Sequence, residues 1–211
     1  MITAGPTQEL IDPVRFISNH STGKMGYAIA AELAERGAKV NLVSGPVELD
    51  ISHSNIKKTS VNSAREMLSS CLSLYSDCDI AIFTAAVSDY RPAKIANQKI
   101  KKSGKPVTLD LVNNPDIAYE LGLLKQSKQI NLGFALETEN EIENSSLKLK
   151  KKNFDFIILN SLKDEGAGFS HSTNKITIID QEGNQTKYGL KSKMDVAKDI
   201  INYLLDKIES N

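Results

Sequence analysis

The chain has 211 residues, of which 40% are hydrophobic and 25% charged, and its 26 basic and 26 acidic side chains give a formal net charge of +0. This length suits a single domain over residues 1–211 that buries its own core without staples. The charge balance makes no bulk case for a nucleic-acid partner, and no apolar run reaches membrane-spanning length.

A short strand is predicted over Met1 to Ala4, followed by a long polar loop. A helix then starts near Ser21 or Thr22, with Ala28, Ala30, Ala31 and Ala34 where it must lie close to a sheet. Gly37 stops it, and Ala38 to Val43 reads as the next parallel strand. Strand, helix and strand with a glycine-bearing first turn form a nucleotide-binding opening. A helix N-terminus there can receive a phosphate or carboxylate.

Ile56 to Val61 can be a third strand, and Ser63 to Leu74 is helical by its apolar spacing. Asp79 to Ala86 is a continuous apolar run, as a strand buried on both faces requires. Its C-terminal end is where open α/β sheets place ligands. From Asp89 to Pro106 periodicity is lost, and a long loop is expected. Val107 to Val112 then alternates as a strand. Asn114 is the expected N-cap of a helix that has Pro115 at its first position and runs to Leu124.

Gln129 to Leu136 reads as a core strand, Glu139 to Lys152 as a charged helix, and Phe154 to Leu159 as the last buried strand. Asn174 to Asp180 and Thr186 to Gly189, around Glu182-Gly-Asn184, suggest a β-hairpin. Lys193 to Ile208 is an amphipathic terminal helix. The fold class is therefore α/β, a Rossmann-like, mostly parallel sheet with helices on both faces and an appended β-hairpin. Cys71 and Cys78 do not form C-x-x-C, and His20, His53 and His171 complete no zinc pattern, so free thiols in a reducing cytoplasm are expected. No secretory leader is expected ahead of the first strand.

Several side chains can carry chemistry. Lys99-Ile-Lys-Lys102 is either a solvated charge run or a mobile cover that neutralises phosphate charge. Asp89 either forms a turn or accepts hydrogen bonds from a ribose or base. Lys148 and Lys152 lie four apart on one helix face, facing solvent or bridging to Glu141 and Glu143. Phe134 would otherwise be core. Tyr90-Arg-Pro-Ala-Lys94 has the spacing of a dehydrogenase pair, but Pro92 opposes the helix that chemistry needs. Ser21-Thr-Gly-Lys-Met25 lacks the Ser or Thr that follows the lysine of a P-loop.

Asp12-Pro-Val-Arg-Phe-Ile-Ser-Asn19 with Ser21-Thr-Gly-Lys-Met-Gly26 resembles the signature of the phosphopantothenoylcysteine synthetases. In many bacteria these form the carboxy-terminal half of a bifunctional coenzyme A biosynthesis protein. Ala85-Ala-Val-Ser-Asp-Tyr-Arg-Pro92, Lys99-Ile-Lys-Lys102, Asn114-Pro-Asp-Ile117 and Gly133-Phe-Ala-Leu-Glu-Thr138 follow in the family's order and span most of the chain.

The resemblance implies a ligase that joins 4′-phosphopantothenate to L-cysteine through an acyl-cytidylate, with CTP consumed to CMP and pyrophosphate and a homodimer as the working form; the triphosphate in turn implies magnesium. It implies nucleotide contacts from Phe83, Thr84, Ala85, Asp89, Lys99, Pro115, Asp116, Ile117, Ala118, Phe134, Lys148 and Lys152. Arg15 and Asn19 would bind the acyl substrate, and Asn19 and Lys99 would be catalytic; metal ligands are not implied. Ser88 replaces the alanine of many relatives, and Asn113 replaces a lysine, which removes any phosphate role for that side chain. With Met1 at the first strand, the chain resembles a stand-alone synthetase. A short-chain oxidoreductase and a non-catalytic nucleotide-binding module remain the alternatives that the residues themselves leave open.

Overall fold

The computed structural model describes residues 1–104, 106–137, 139–161 and 173–209. In chain order the first elements are β1 (Ile2–Ala4), β2 (Gln8–Leu10), β3 (Phe16–Ser18), α1 (Lys24–Glu35), β4 (Val40–Ser44), β5 (Ile56–Ser60), α2 (Ala64–Tyr75) and β6 (Ile80–Phe83). Then come β7 (Tyr90–Pro92), β8 (Leu111–Asn113), α3 (Ile117–Leu123), β9 (Ile130–Glu137), α4 (Glu141–Lys151), β10 (Phe156–Ser161), β11 (Thr173–Asn174), β12 (Ile176–Asp180), β13 (Gln185–Lys187), β14 (Lys191–Ser192) and α5 (Lys193–Glu209).

The main sheet has eight strands in the order β13-β12-β10-β9-β6-β1-β4-β5. Its pairings are parallel from β10 to β5, and β12 and β13 add antiparallel at the other edge. The expected hairpin is thus part of the sheet. Alternation along β10 shows why helices are needed on both faces. Phe156 and Ile158 join the core under α1 and α5, with Ala30 and Ile200. Ile157 and Leu159 join the core under α2, α3 and α4, with Met67, Leu121 and Leu149. Burying a side chain such as Ile157 contributes about 1.5–3 kcal/mol.

Glycines decide two boundaries. Gly37 has φ +89° and closes α1, with its N–H donating to Ala34 O at 3.0 Å and Ala38 N–H to Leu33 O at 3.0 Å, the pattern of a left-handed helix end. At the other end Gly23 has φ +76°. That turn sends the preceding chain off the helical path, so α1 begins at Lys24 and not at Ser21 or Thr22. Gly26 answers a different demand. A Cβ there would lie 2.4 Å from Thr84 Oγ1 and 2.6 Å from Ala4 Cβ, so its absence lets α1 dock onto β1.

Two predicted loops contain strands. In the first, β2 and β3 pair antiparallel. In the second, β7 pairs antiparallel with β8, so residues 90–104 and 106–113 form an arm. Ala96 N–H donates to Ile11 O at 3.0 Å, tying the arm to the β2–β3 turn. Within the predicted strand over Val107 to Val112, only Leu111 and Val112 pair, and both are exposed. Tyr90 lies in a strand, so the Tyr90–Lys94 spacing does not form a helical dehydrogenase pair.

Candidate functional site

In the sheet order, β1 sits between β6 and β4, and the chain leaves it in one direction through α1 to β4 and returns through α2 to β6. Such a reversal opens a crevice beyond the strands' C-terminal ends. Backbone hydrogen bonds extend the two strands into a floor for it. Ala86 N–H donates to Gly5 O at 2.9 Å, and Thr7 N–H to Ala86 O at 3.2 Å. Thr84 Oγ1 donates to Thr3 O at 2.6 Å, and Ser88 N–H to Thr7 Oγ1 at 3.0 Å. Ser88 is thus a buried hydrogen-bonding residue of this floor.

Two cavities flank the floor and share Ala85, Ala86, Phe134 and Leu136. The larger has a volume of about 410 Å³ and gathers Asn19, Phe83, Ala85, Asp89, Pro115, Asp116, Ile117, Ala118, Phe134, Lys148 and Lys152. These come from the loop after β3, the end of β6, the start of α3, β9 and α4. Thr84 faces the smaller cavity. Phe154, Asn114 and Leu136 also line the larger one and were not anticipated. Phe154 stacks on Phe83 with ring centroids 5.6 Å apart. Any Cβ on Gly133 would fall 2.0 Å from the Phe154 ring, so that glycine was a legible signal for the aromatic wall.

Asn114 is not the N-cap of α3. Its Nδ2 donates to Ser88 O at 2.8 Å and its N–H to Asp89 O at 2.8 Å, so it clamps the strand end to the helix approach. Asp116 is the cap, and its Oδ1 accepts Tyr119 N–H at 3.3 Å. Pro115 therefore precedes the cap. The capping carboxylate also pairs with Lys152 Nζ at 3.0 Å, while Lys148 pairs with Glu137 at the end of β9. Both lysines are thus held toward the cavity, and not on Glu141 or Glu143. Asn19 Nδ2 donates to Ala86 O at 2.9 Å, which places its amide at the cavity rim.

Arg15 and Lys99 lie elsewhere. They line an exposed groove on the arm with Ile11, Lys101, Lys102 and Val107. Arg15 is engaged by Asp12, with Nε donating to Oδ2 at 3.0 Å, and its Nη2 donates to Ile100 O at 3.0 Å. Asp12 is fully buried; its Oδ1 accepts Val14 and Arg15 N–H, each at 2.9 Å, and its Oδ2 accepts Ile100 N–H at 3.1 Å. The Arg15 guanidinium, aided by these backbone donors and opposed by burial, holds the Asp12 carboxyl well below the usual carboxylate range. Asp12 therefore anchors the Lys99 loop, a role that sequence reading missed. The guanidinium assigned to substrate is committed to Asp12 and Ile100 within this chain.

The smaller cavity, about 180 Å³, lies against the start of α1 and is lined by Gly23, Lys24, Met25, Gly26, Asn160, Asn174 and Lys193 among others. Gly23 gives α1 no side-chain cap, so the first N–H groups of the helix are available to an anion. Lys193 is 8% exposed. Burial, with Lys24 close by, lowers its pKa. The fit of a metal turns on the donors available. Among the described residues no group of three or more His, Cys, Asp and Glu could hold one. Among the described residues, the buried side-chain oxygens Asn160 Oδ1 and Asn174 Oδ1 have no hydrogen-bond partner, and both border this cavity.

Cys71 and Cys78 are free thiols. Burial pushes Cys71 up to about 12, which makes it inert packing. His171 and Thr138 lie outside the described residues. Among those described, no helix is long and apolar enough to cross a membrane.

Comparison with known proteins matches residues 1–208 to the family model "DNA/pantothenate metabolism flavoprotein C-terminal domain". A protein of an unknown prokaryotic organism, named cysteine/cysteine sulfinic acid decarboxylase, is 52% identical over 204 residues, 97% of this chain and 57% of that protein. The coenzyme A biosynthesis bifunctional protein CoaBC of Haemophilus influenzae is 43% identical over 208 residues, 99% of this chain and 51% of that one. The chain thus spans about half the length of the curated relatives it matches. The crystal structure of the C-terminal domain of a coenzyme A biosynthesis bifunctional protein CoaBC superposes with a TM-score of 0.84 at 37% identity, covering 100% of this chain and 95% of that one.

Proposed function

Since the chain belongs to the DNA/pantothenate metabolism flavoprotein C-terminal domain family, the synthetase family its motifs resemble, we propose that it is a CTP-dependent phosphopantothenate–cysteine ligase. The observation that carries this reading is the convergence of Asn19, Asp89, Pro115 to Ala118, Phe134, Lys148 and Lys152 on one cavity beside the uncapped start of α1.

The arrangement suits acyl activation. The base and ribose occupy the larger cavity, between Phe134 and the start of α3. The triphosphate crosses the floor at Ala85 and Ala86 toward the N–H groups of α1, Lys24 and Lys193. Fixed donors of this kind stabilise charge that builds up at phosphorus. The substrate carboxylate attacks the α-phosphate and pyrophosphate leaves. The cysteine amine then attacks the acyl carbon and releases CMP. Asn19, held at the rim by Ala86 O, keeps a second N–H for the developing oxyanion. Magnesium, when bound with the triphosphate, supplies further charge neutralisation.

The test is pyrophosphate release with phosphopantothenate, with and without cysteine, for CTP and ATP. CTP should be preferred, because a site built around the start of a seven-residue α3 reads the small pyrimidine edge. Comparable kcat/KM for the two nucleotides would overturn the preference and leave the ligase reading standing. Absence of pyrophosphate release with CTP bound would favour a non-catalytic module, and a nicotinamide absorbance change would favour an oxidoreductase.

The homodimer belongs to the same reading, and exposed apolar side chains support it. Leu10, Val14, Phe16, Ile95, Val107, Leu109 and Leu111 are exposed on the β2–β3 hairpin and the β7–β8 arm. Exposed apolar side chains on two elements tied together by Ala96 N–H and Ile11 O suit an interaction site, and a second copy of the chain is the occupant we assign. Light scattering should find a dimer, and Phe16→Glu with Leu111→Glu should yield monomer. A fully active monomer of the unsubstituted chain refutes the assignment.

A further inference from the structure

Two side-chain oxygens at the smaller cavity stand out because nothing among the described residues satisfies them: Oδ1 of Asn160 and Oδ1 of Asn174. Asn174 is 1% exposed. Its Nδ2 donates to the Met25 sulfur at 3.8 Å, a weak acceptor. Buried polar atoms are normally paired, so an unpaired one facing a cavity points to a missing ligand.

The shared cavity brings the two together. Asn160 lies opposite Ile176 in the antiparallel β10–β12 ladder. Asn174 is two residues before Ile176 in the sequence. Asn174 itself lies in β11, outside that ladder, and meets Asn160 as a fellow lining residue of the one cavity. Pairing with Lys191 pins Asn174 on its other side, and the Met25 contact sets it against the first turn of α1.

The rest of the lining has the opposite electrostatic character. Lys24, Lys193 and the uncapped start of α1 attract an anion, and the described residues lining this cavity include no Asp or Glu. Carbonyl oxygens repel an anion. A cavity carrying both kinds of group is matched by an anion that brings its own cation. A triphosphate with its divalent metal has that composition, and such a metal keeps several waters, each a hydrogen-bond donor.

We propose that Asn160 and Asn174 hold the divalent cation of the nucleotide complex, by direct Oδ1 coordination or through a metal-bound water, while Lys24, Lys193 and the start of α1 face the phosphate oxygens. The inference rests on the nucleotide reading above and deepens it.

The experiment is calorimetric titration of CTP in EDTA and in magnesium, for the unsubstituted chain and for Asn160→Ala, Asn174→Ala and Asn174→Asp. Magnesium should tighten CTP binding to the unsubstituted chain. Each alanine variant should lose about tenfold of that gain and keep its metal-free affinity. Asn174→Asp adds ligand charge, so manganese bound in the CTP complex, followed by electron paramagnetic resonance, should be held about tenfold more tightly. A full magnesium gain in both folded alanine variants overturns the proposal. Where alanine unfolds the chain by circular dichroism, unchanged manganese affinity in the isosteric Asn174→Asp overturns it instead. A raised KM for L-cysteine with the magnesium gain intact assigns the oxygens to a substrate ammonium and also overturns it. Failure of the unsubstituted chain to bind CTP under either condition refutes the nucleotide reading, and this inference with it.

Discussion

Asn19→Asp should stall the enzyme between its two half-reactions. The Asn19 amide is fixed by its bond to Ala86 O at 2.9 Å, on the strand end that both cavities share. The carboxylate of the first step carries its charge before it arrives, and its attack on phosphorus develops charge on the phosphate oxygens. The acyl oxygen becomes an oxyanion only when the amine attacks. A donor at Asn19 therefore acts mainly in the second step, where losing one oxyanion donor costs about 10²–10³ in rate. An aspartate in its place adds repulsion. After mixing with CTP and phosphopantothenate, the variant should accumulate acyl-cytidylate visible by mass spectrometry, and turnover in the presence of cysteine should fall by at least about a hundredfold. A folded variant that binds CTP yet forms neither intermediate nor product would move Asn19 to the first step. Normal turnover would reduce it to a turn residue.

Lys99→Gln should act on the other half-reaction, slowing intermediate formation by roughly a hundredfold or more. Lys99 lies on the arm, in a groove apart from the larger cavity, so the expected effect requires that loop to move toward the cavity. The loop is held at Ile100, whose N–H and C=O bond to Asp12 and Arg15. The folded-state pKa of Asp12 is depressed, so its stabilising contribution is present above the ordinary carboxylate pKa and is lost only as pH falls below that range. Mild acid therefore leaves the anchor intact, and a rate change there arises at other groups. The defect of Lys99→Gln should appear in single-turnover pyrophosphate release. Near-normal release would show the lysine run to be a solvated face.

The residues assigned to the nucleotide converge on the cavity with few exceptions, because each sat beside a strong local signal. Asp89 follows an apolar strand, and Pro115 to Ala118 open a helix. Lys148 and Lys152 share a helical face, and both point inward because their partners are Glu137 and Asp116. Those acids come from another strand and another helix start, and i to i+4 reasoning sees only the lysines' own helix. Asn114 was misassigned for a similar reason. Asn-Pro-Asp offers two capping side chains, and the carbonyls of Ser88 and Asp89 drew the first away from the helix. In the arm, β7 and β8 pair across about twenty residues without apolar alternation, so periodicity read a loop where non-local hydrogen bonds make strands.

Local chemistry thus determined a great deal of this protein: the alternation of strands and helices, the mostly parallel sheet, the glycine stop at Gly37 and the family signature. These depend on side-chain spacing within a few residues, where the period of two or of 3.6 is already written. Tertiary structure alone decided how β12 and β13 join the sheet, which acids meet Lys148 and Lys152, and that Asp12 grips Ile100, 88 residues away. It also decided that two asparagine oxygens lining one cavity would be buried without partners among the described residues, beside an uncapped helix. Each of these is a pairing between distant segments. Its free energy depends on which surfaces meet in the core, and a one-residue shift in register would send the same side chain to the opposite face.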